Sequence, residues 1–247
     1  MKHIVSFSGG KDSMATLLIM LEQGMPIDDI IFADTGLEFP QVYDYLEKVE
    51  KYIGIEIRRL KHPTKDFESM FYQRKKRGLY VGQIYAFPFV RGCYIQKCFK
   101  TDLIKRYKRE VGNHVSYLGI TYDEPERYER LAKNQRSILY ELKITQEDSL
   151  ALVKKHGLLN PLYEYFDRGG CWLCPQQSMG DLRTLRRHFP GLWKRLMFYG
   201  REAEKYATSR RFSEFKPGWT VAELDERFAL EDKQLTLFNK EVMKCNP

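Results

Sequence analysis

The sequence has no long apolar run. The longest covers residues 17–21, five residues, against the roughly 20 a bilayer-spanning helix needs. Nor does the N-terminus carry the apolar stretch of a secretory signal. Both absences predict a soluble, cytoplasmic protein with no membrane partner. Five cysteines in 247 residues, without secretory features, exclude a disulfide scaffold. There is no internal repeat, no low-complexity tract and no Pro/Gly/Ser linker, which argues against a string of modules. His3, His62, His114, His156 and His188 show no metal-ligand spacing. Hydrophobic residues make up 43% of the chain, which excludes wholesale disorder.

Positive charge is in excess. Lys and Arg number 41 against 33 Asp and Glu, a net +8 at pH 7. That balance favours anionic ligands, phosphates or nucleic acid, without choosing between them. Cations gather at Arg74-Lys75-Lys76-Arg77, at Lys105-Arg106 with Lys108-Arg109, and at Arg186-Arg187. Tyr80, Tyr85, Phe87 and Phe89 follow the first run and offer stacking groups for RNA or DNA. The same runs also fit solvated helix faces.

Hydropathy patterning predicts a buried strand over 3–7, a Ser8-Gly9-Gly10 break and a helix over 11–23 that is apolar on nearly all sides. Gly24 and Pro26 stop that helix. A strand over 29–33, a helix over 39–53 with Val42, Tyr45, Leu46, Val49 and Ile53 at apolar positions, and a strand over 55–60 follow. Alternating strands and helices predict an α/β fold: a parallel twisted sheet flanked by helices, Rossmann-like, with ligands at the carboxyl ends of the strands. Further helices are predicted over 66–77 and 101–111, an aromatic loop or hairpin over 78–92, and a strand over 115–120. Periodicity is helical from Glu124, broken by Asn160-Pro161 and by Arg168-Gly169-Gly170, with helices over 181–206 and 221–238. The division expected is an α/β nucleotide-binding domain over 1–170 and, over 171–247, a Cys-x-x-Cys loop with a helical C-terminal extension.

Two glycines between a strand and a helix let a backbone approach an anion, and the first-turn amides then point at it. Lys11 at the helix start opposes the helix dipole, which makes sense if an anion neutralises both. Ser8, Asp12 and Ser13 can cap the turn or hold a phosphate oxygen or a metal. The pattern is not a Walker loop, because no glycine stands five residues before Gly10 and Asp12 replaces the hydroxyl residue after the lysine.

Ser6-Phe7-Ser8-Gly9-Gly10-Lys11-Asp12-Ser13 resembles the pyrophosphate-binding loop (PP-loop) of the adenine nucleotide alpha-hydrolase superfamily, whose members bind ATP or a related adenine nucleotide. Asp34-Thr35-Gly36-Leu37-Glu38-Phe39-Pro40 resembles the segment after the second strand in the phosphoadenosine phosphosulfate (PAPS) reductase family. Gly119-Ile120-Thr121-Tyr122-Asp123-Glu124 with Arg127 resembles that family's glycine, acidic and arginine pattern after a later strand. Each segment follows a predicted strand, so all three would meet at one sheet edge. There Asp34 would bind ribose hydroxyls or Mg2+, and Arg127 would clamp a phosphate or sulfate. The plainer alternatives are a capped turn and a solvated helix charge.

Cys93-x4-Cys98 and Cys171-x2-Cys174 form two close pairs that only the fold can bring together. Their spacing fits zinc or a [4Fe-4S] cluster equally. The resemblance implies iron, since sulfonucleotide reductases and DNA phosphorothioation proteins of the PAPS-reductase-like group include four-cysteine iron–sulfur members. Lys97 and Lys100 flank Cys98. Cys245 stands in a Glu241-Val242-Met243-Lys244-Cys245-Asn246-Pro247 tail, without the Glu-Cys-Gly-x-x-His surroundings of the family's nucleophile. The resemblance therefore implies first an ATP-cleaving enzyme that adenylates an acceptor for sulfur transfer, the acceptor being nucleic acid or the sulfur coming from a donor protein. A second reading is thioredoxin-dependent reduction of PAPS or its unphosphorylated relative, releasing sulfite. The third is a non-catalytic nucleotide- or nucleic-acid-binding protein with a structural metal.

Overall fold

The computed structural model describes residues 1–244. Five strands, β1 (Lys2–Ser6), β2 (Asp29–Ala33), β3 (Ile57–Leu60), β4 (His114–Tyr117) and β5 (Gln135–Arg136), form one parallel sheet in the order β3-β2-β1-β4-β5. Val5 on the central strand registers with Ile30 on one side and Tyr117 on the other. Ile4, Val5, Ile30 and Ile31 are buried, as in strands covered on both faces. Strand order reverses at β1, so its carboxyl end is a topological switch point, where such sheets open a crevice.

Around the sheet lie α1 (Lys11–Glu22) and α2 (Pro40–Ile53). Residues 13–20 of α1 are buried without a break, as its all-round apolar sequence requires. In α2, Pro40 pre-sets the first turn, Val42, Tyr45, Leu46 and Val49 form the buried stripe, and Gly54 at φ 69° ends the helix in a left-handed conformation. The chain continues through α3 (Phe67–Phe71), a π-helix at Gln96–Thr101, α4 (Asp102–Val111), α5 (Pro125–Glu129), α6 (Ile138–Glu141), α7 (Gln146–Lys155) and a 3-10 turn at Pro161–Glu164. After these come α8 (Met179–His188), α9 (Pro190–Tyr206), a second 3-10 turn at Arg210–Phe212 and α10 (Val221–Lys244). No helix among the described residues is long and apolar enough to cross a membrane.

The chain divides into two compact units, one of residues 1–64 and 95–171 that holds the sheet, the other of residues 65–94 and the chain from Trp172. The second unit is cored by aromatic rings: Phe67 on Tyr199 at 4.9 Å, Phe71 on Phe87 at 5.6 Å and Phe87 on Phe215 at 5.1 Å. Gly200 of α9 lets Val221 of α10 approach so closely that a Cβ there would lie 2.8 Å from the valine Cβ.

Three predicted elements differ from the structure. The helix predicted over 66–77 stops at Phe71, capped at its start by Asp66 and Ser69. Beyond Phe71 the polar run 73–77 offers no apolar stripe, and the chain turns into an antiparallel bridge between Arg74 and Ile84. The single helix predicted over 181–206 is two, because Pro190 lacks an amide hydrogen and drives Phe189 out of the helical region to φ −128°, ψ 56°. The strand predicted over 115–120 ends at Tyr117, and β5, only two residues long, carries no alternation to detect.

Candidate functional site

The carboxyl end of β1 turns directly into α1 through Phe7–Gly10. Gly9 takes φ +75°, a left-handed conformation that glycine adopts without a Cβ penalty. Ser13 pins the turn: its Oγ accepts from the Ser8 amide at 3.1 Å and donates to the Gly10 carbonyl at 2.9 Å. Gly10, the N-cap of α1, has no side chain with which to cap the helix; the Lys11 amide donates to the Tyr163 hydroxyl, which leaves the amides of Asp12 and Ser13 for an anion. Two buried hydroxyls at the ends of β1 and the loop after β4, Ser6 Oγ and Thr121 Oγ1, have no hydrogen-bond partner among the described residues. A glycine cradle and a helix start with unpaired amides fit a nucleotide phosphate.

Gly119 is required for a different reason from Gly9. A Cβ at Gly119 would lie 2.6 Å from Asp12 C and 2.6 Å from Ser13 N, so the connection after β4 runs backbone against backbone along the first turn of α1. This brings the first and third sequence segments together. Lys11 Nζ lies 2.7 Å from Asp12 Oδ1 and 3.4 Å from Gln146 Oε1, its side chain 13% exposed. Arg127 sits on α5 with its guanidinium on Glu124 at 2.5 Å.

After β2, Asp34 is almost fully buried and well supplied with donors. Its Oδ1 accepts from the Gly36 amide and from the Tyr43 hydroxyl, both at 2.9 Å, and Lys61 Nζ stands 3.1 Å from Oδ2. Burial, then the hydrogen bond to Asp34, pushes the Tyr43 hydroxyl well above its usual range. Thr35 donates to Glu38 Oε1 at 3.0 Å, and Lys100 stands 3.2 Å from the same oxygen. Cys171 Sγ lies 3.8 Å from Thr35 Oγ1.

The four cysteines of the close pairs are half-buried and in no disulfide among the described residues. Cys98, on the π-helix Gln96–Thr101, and Cys171 belong to the sheet unit; Cys93 and Cys174 belong to the other. Among the described residues no three His, Cys, Asp or Glu side chains are gathered into a metal-binding group. Lys216 holds the turn after Cys174, donating to the carbonyls of Pro175 and Gln177, and burial lowers its pKa. Cys245 lies outside the described residues.

The residues that sequence reasoning missed come from the 3-10 turn Pro161–Glu164. Asn160 Nδ2 donates to the Gly9 carbonyl at 2.9 Å, and the Lys11 amide donates to the Tyr163 hydroxyl at 3.0 Å. The available signal was Asn160-Pro161, an asparagine that turns a chain before a proline that starts a helix. Tyr43, Lys61 and Gln146 were also missed, since each reaches the site only through tertiary structure.

Several cations of these runs are ion-paired or stacked on aromatic rings. Arg186 and Arg187 are tied to Asp225 and Asp232 at 2.6–2.8 Å, and Arg106 to Glu110 at 2.9 Å. Lys75 is drawn among aromatic rings, 4.0 Å from the Phe212 centroid, and burial lowers its pKa. Arg74, Lys76, Arg77 and Arg91 remain exposed.

Residues 2–177 match the phosphoadenosine phosphosulfate reductase domain. The chain belongs to that family. An uncharacterized protein of Methanocaldococcus jannaschii is 31% identical over 218 residues, covering 82% of this chain and 42% of the relative, so the chain spans less than half that relative's length. Among solved structures, PAPS reductase from Candida auris in a phosphate complex is similar at 18% identity over 70% of this chain and 82% of that one, with a TM-score of 0.49. A U34-tRNA thiolase from Methanococcus maripaludis with its [4Fe-4S] cluster is similar at 16% identity over 64% and 58%, with a TM-score of 0.42. The PAPS reductase domain match takes in the glycine loop, the Asp34 and Gly119 segments and all four paired cysteines, and ends before α8.

Proposed function

We propose that this PAPS reductase family member is an enzyme that binds ATP, with its pyrophosphate on the Ser8–Ser13 loop, and adenylates an acceptor for sulfur transfer. An acceptor oxygen would attack the α-phosphorus, the α–β bond would break, pyrophosphate would leave, and a sulfur nucleophile would then displace AMP. The observation that carries this reading is the start of α1 beside Gly9 and Gly10, where the N-cap is a glycine with no capping side chain, and backbone lies on its other side at Gly119. The amides of that turn would stabilise charge building on the leaving pyrophosphate. Asp12, 27% exposed, fits a hydrated Mg2+ better than Asp34, which is 1% exposed and holds three donors. Such an ion would neutralise phosphate charge.

Thiolate donors suit iron better than they suit Mg2+ or other hard cations, and the four cysteines of the two close pairs fit a [4Fe-4S] cluster by donor type. Bound there, a cluster would supply a site for sulfur or for electrons. For the acceptor we propose nucleic acid. Residues 72–94 hold five cations and no carboxylate, and Tyr80 and Phe89 are exposed among them at 38% and 37%, the combination that binds an unpaired strand.

Calorimetric titration with ATP, PAPS and pyrophosphate tests the nucleotide reading. ATP and pyrophosphate are expected to bind competitively, and AMP to form only with acceptor present. Failure of both to bind refutes the reading; PAPS binding with thioredoxin-dependent sulfite release turns it to the reductase. Anaerobic purification with iron, zinc and acid-labile sulfide analysis tests the metal. Iron and sulfide present in wild type and lost in Cys171→Ser are expected; zinc without sulfide excludes the cluster.

A further inference from the structure

The turn carrying Asn160 and Tyr163 is built onto the glycine loop by contacts that the phosphate reading does not require. Asn160 is 5% exposed and uses both ends of its amide: Oδ1 accepts from the Leu162 amide at 3.0 Å, and Nδ2 donates to the Gly9 carbonyl at 2.9 Å. One side chain therefore sets the 3-10 turn and anchors it to the residue whose left-handed backbone shapes the loop. Three residues on, the Tyr163 oxygen accepts from the Lys11 amide at 3.0 Å. That amide is among the first of α1, which have no carbonyl partner within the helix. A Cβ at Gly10 would lie 3.5 Å from the same hydroxyl, an ordinary van der Waals contact.

A phenol oxygen that accepts from an amide still has its own hydrogen to give. Among the described residues that hydrogen meets no acceptor. Burial, the largest influence on Tyr163, raises its pKa, so the proton stays on the oxygen at neutral pH. A neutral donor fixed beside uncapped helix amides is chemistry for an anion oxygen.

We infer that Tyr163 contacts the bound pyrophosphate, its hydroxyl donating to a phosphate oxygen while its oxygen holds the Lys11 amide, and that Asn160 is the positioning residue that sets it there. This rests on the reading that the Ser8–Ser13 loop takes the pyrophosphate. Its consequence is that the anion site is closed from two directions: amides of the β1–α1 turn, and a hydroxyl from a segment some 150 residues away in sequence. Asn160→Ala would act through Tyr163 and the loop.

The test is calorimetric titration of the full chain with pyrophosphate and with adenosine, on wild type, Tyr163→Phe and Asn160→Ala, with thermal unfolding of each. Tyr163→Phe is expected to weaken pyrophosphate about tenfold, the scale of one hydrogen bond to a charged group. Its adenosine affinity should stay at the wild-type value, while its unfolding temperature should fall by no more than the loss of the one hydrogen bond to the Lys11 amide implies. Asn160→Ala should weaken pyrophosphate at least as much and also lower the unfolding temperature. Unchanged pyrophosphate affinity in Tyr163→Phe overturns the contact. Tighter binding overturns it too, making the hydroxyl a plug that the ligand displaces. No pyrophosphate binding by wild type overturns the reading of the loop itself, a result distinguishable from both.

Discussion

Replacing Gly119 by alanine tests whether the loop after β4 and the first turn of α1 must meet backbone to backbone. The added Cβ would lie 2.6 Å from Asp12 C and Ser13 N and 2.8 Å from Asp12 O. Unstrained heavy-atom contacts begin near about 3.4 Å, so the two segments must part by roughly 0.8 Å. Neither is free to recoil. Ile120 is buried and its carbonyl accepts from Ser137 Oγ at 2.5 Å, while Met14, Ala15 and Leu17 of α1 are wholly buried. The cost is that of overpacking a closed site, about 1–3 kcal/mol, or a fall of roughly 2–12 °C in Tm for a chain of this size. The shift moves the amides of Asp12 and Ser13, so pyrophosphate affinity should fall at least about tenfold with it. Gly191→Ala is the matched control, because a Cβ there meets nothing within 4 Å and the position lies early in α9; it should be neutral or stabilising by up to about 1 kcal/mol. Differential scanning calorimetry and pyrophosphate titration read both quantities. A Gly119→Ala protein with wild-type Tm and affinity would refute the reasoning.

Gly200→Ala should cost about 1–3 kcal/mol, since its Cβ would meet Val221 Cβ at 2.8 Å and Cγ2 at 3.0 Å; urea unfolding should show the double variant with Val221→Ala less destabilised than the sum of the singles. Hydrogen bonds from Arg183, then Arg227, hold Glu231 down to about 2 from 4.5. A carboxylate lowered in this way contributes stability above pH 4.5 and loses it as pH falls through about 2. Acid titration of the unfolding midpoint should therefore drop between those values, and Glu231→Gln should flatten the drop.

The sheet unit was legible because its signals are local and agree. Residues 29–33 form a strand by β-branched content and 11–22 a helix by all-round apolarity, and each boundary has its own glycine or proline. In the segment 66–94 only the helix start and an aromatic hairpin were legible, not where one gives way to the other, because the polar run 73–77 obeys no period and its pairing with Ile84 and Gln83 depends on a turn between two positive-φ glycines, Gly78 and Gly82. At the site, the loop residues announced themselves by type. Gly119 was legible only through resemblance, and its reason, the closeness of two backbones, has no sequence signature at all. Asn160 and Tyr163 failed for the opposite reason: asparagine before proline is common turn chemistry, and nothing local says which carbonyl and amide it will find 150 residues upstream.

The order in which the chain is made follows from how its units are divided. The stretch 65–94 leaves the ribosome before the 77 residues of 95–171, yet its compact unit is completed only from Trp172 onward. At about 5–20 residues per second that interval is roughly 4–15 s, during which Phe67, Phe71 and Phe87 have no Tyr199 or Phe215 to cover them. Joining the two stretches across a 77-residue span also carries a closure entropy of about 4 kcal/mol. The nascent protein therefore passes through a state in which the sheet can form while an aromatic hairpin waits in solvent, a window in which a chaperone that binds exposed aromatic side chains would find its client.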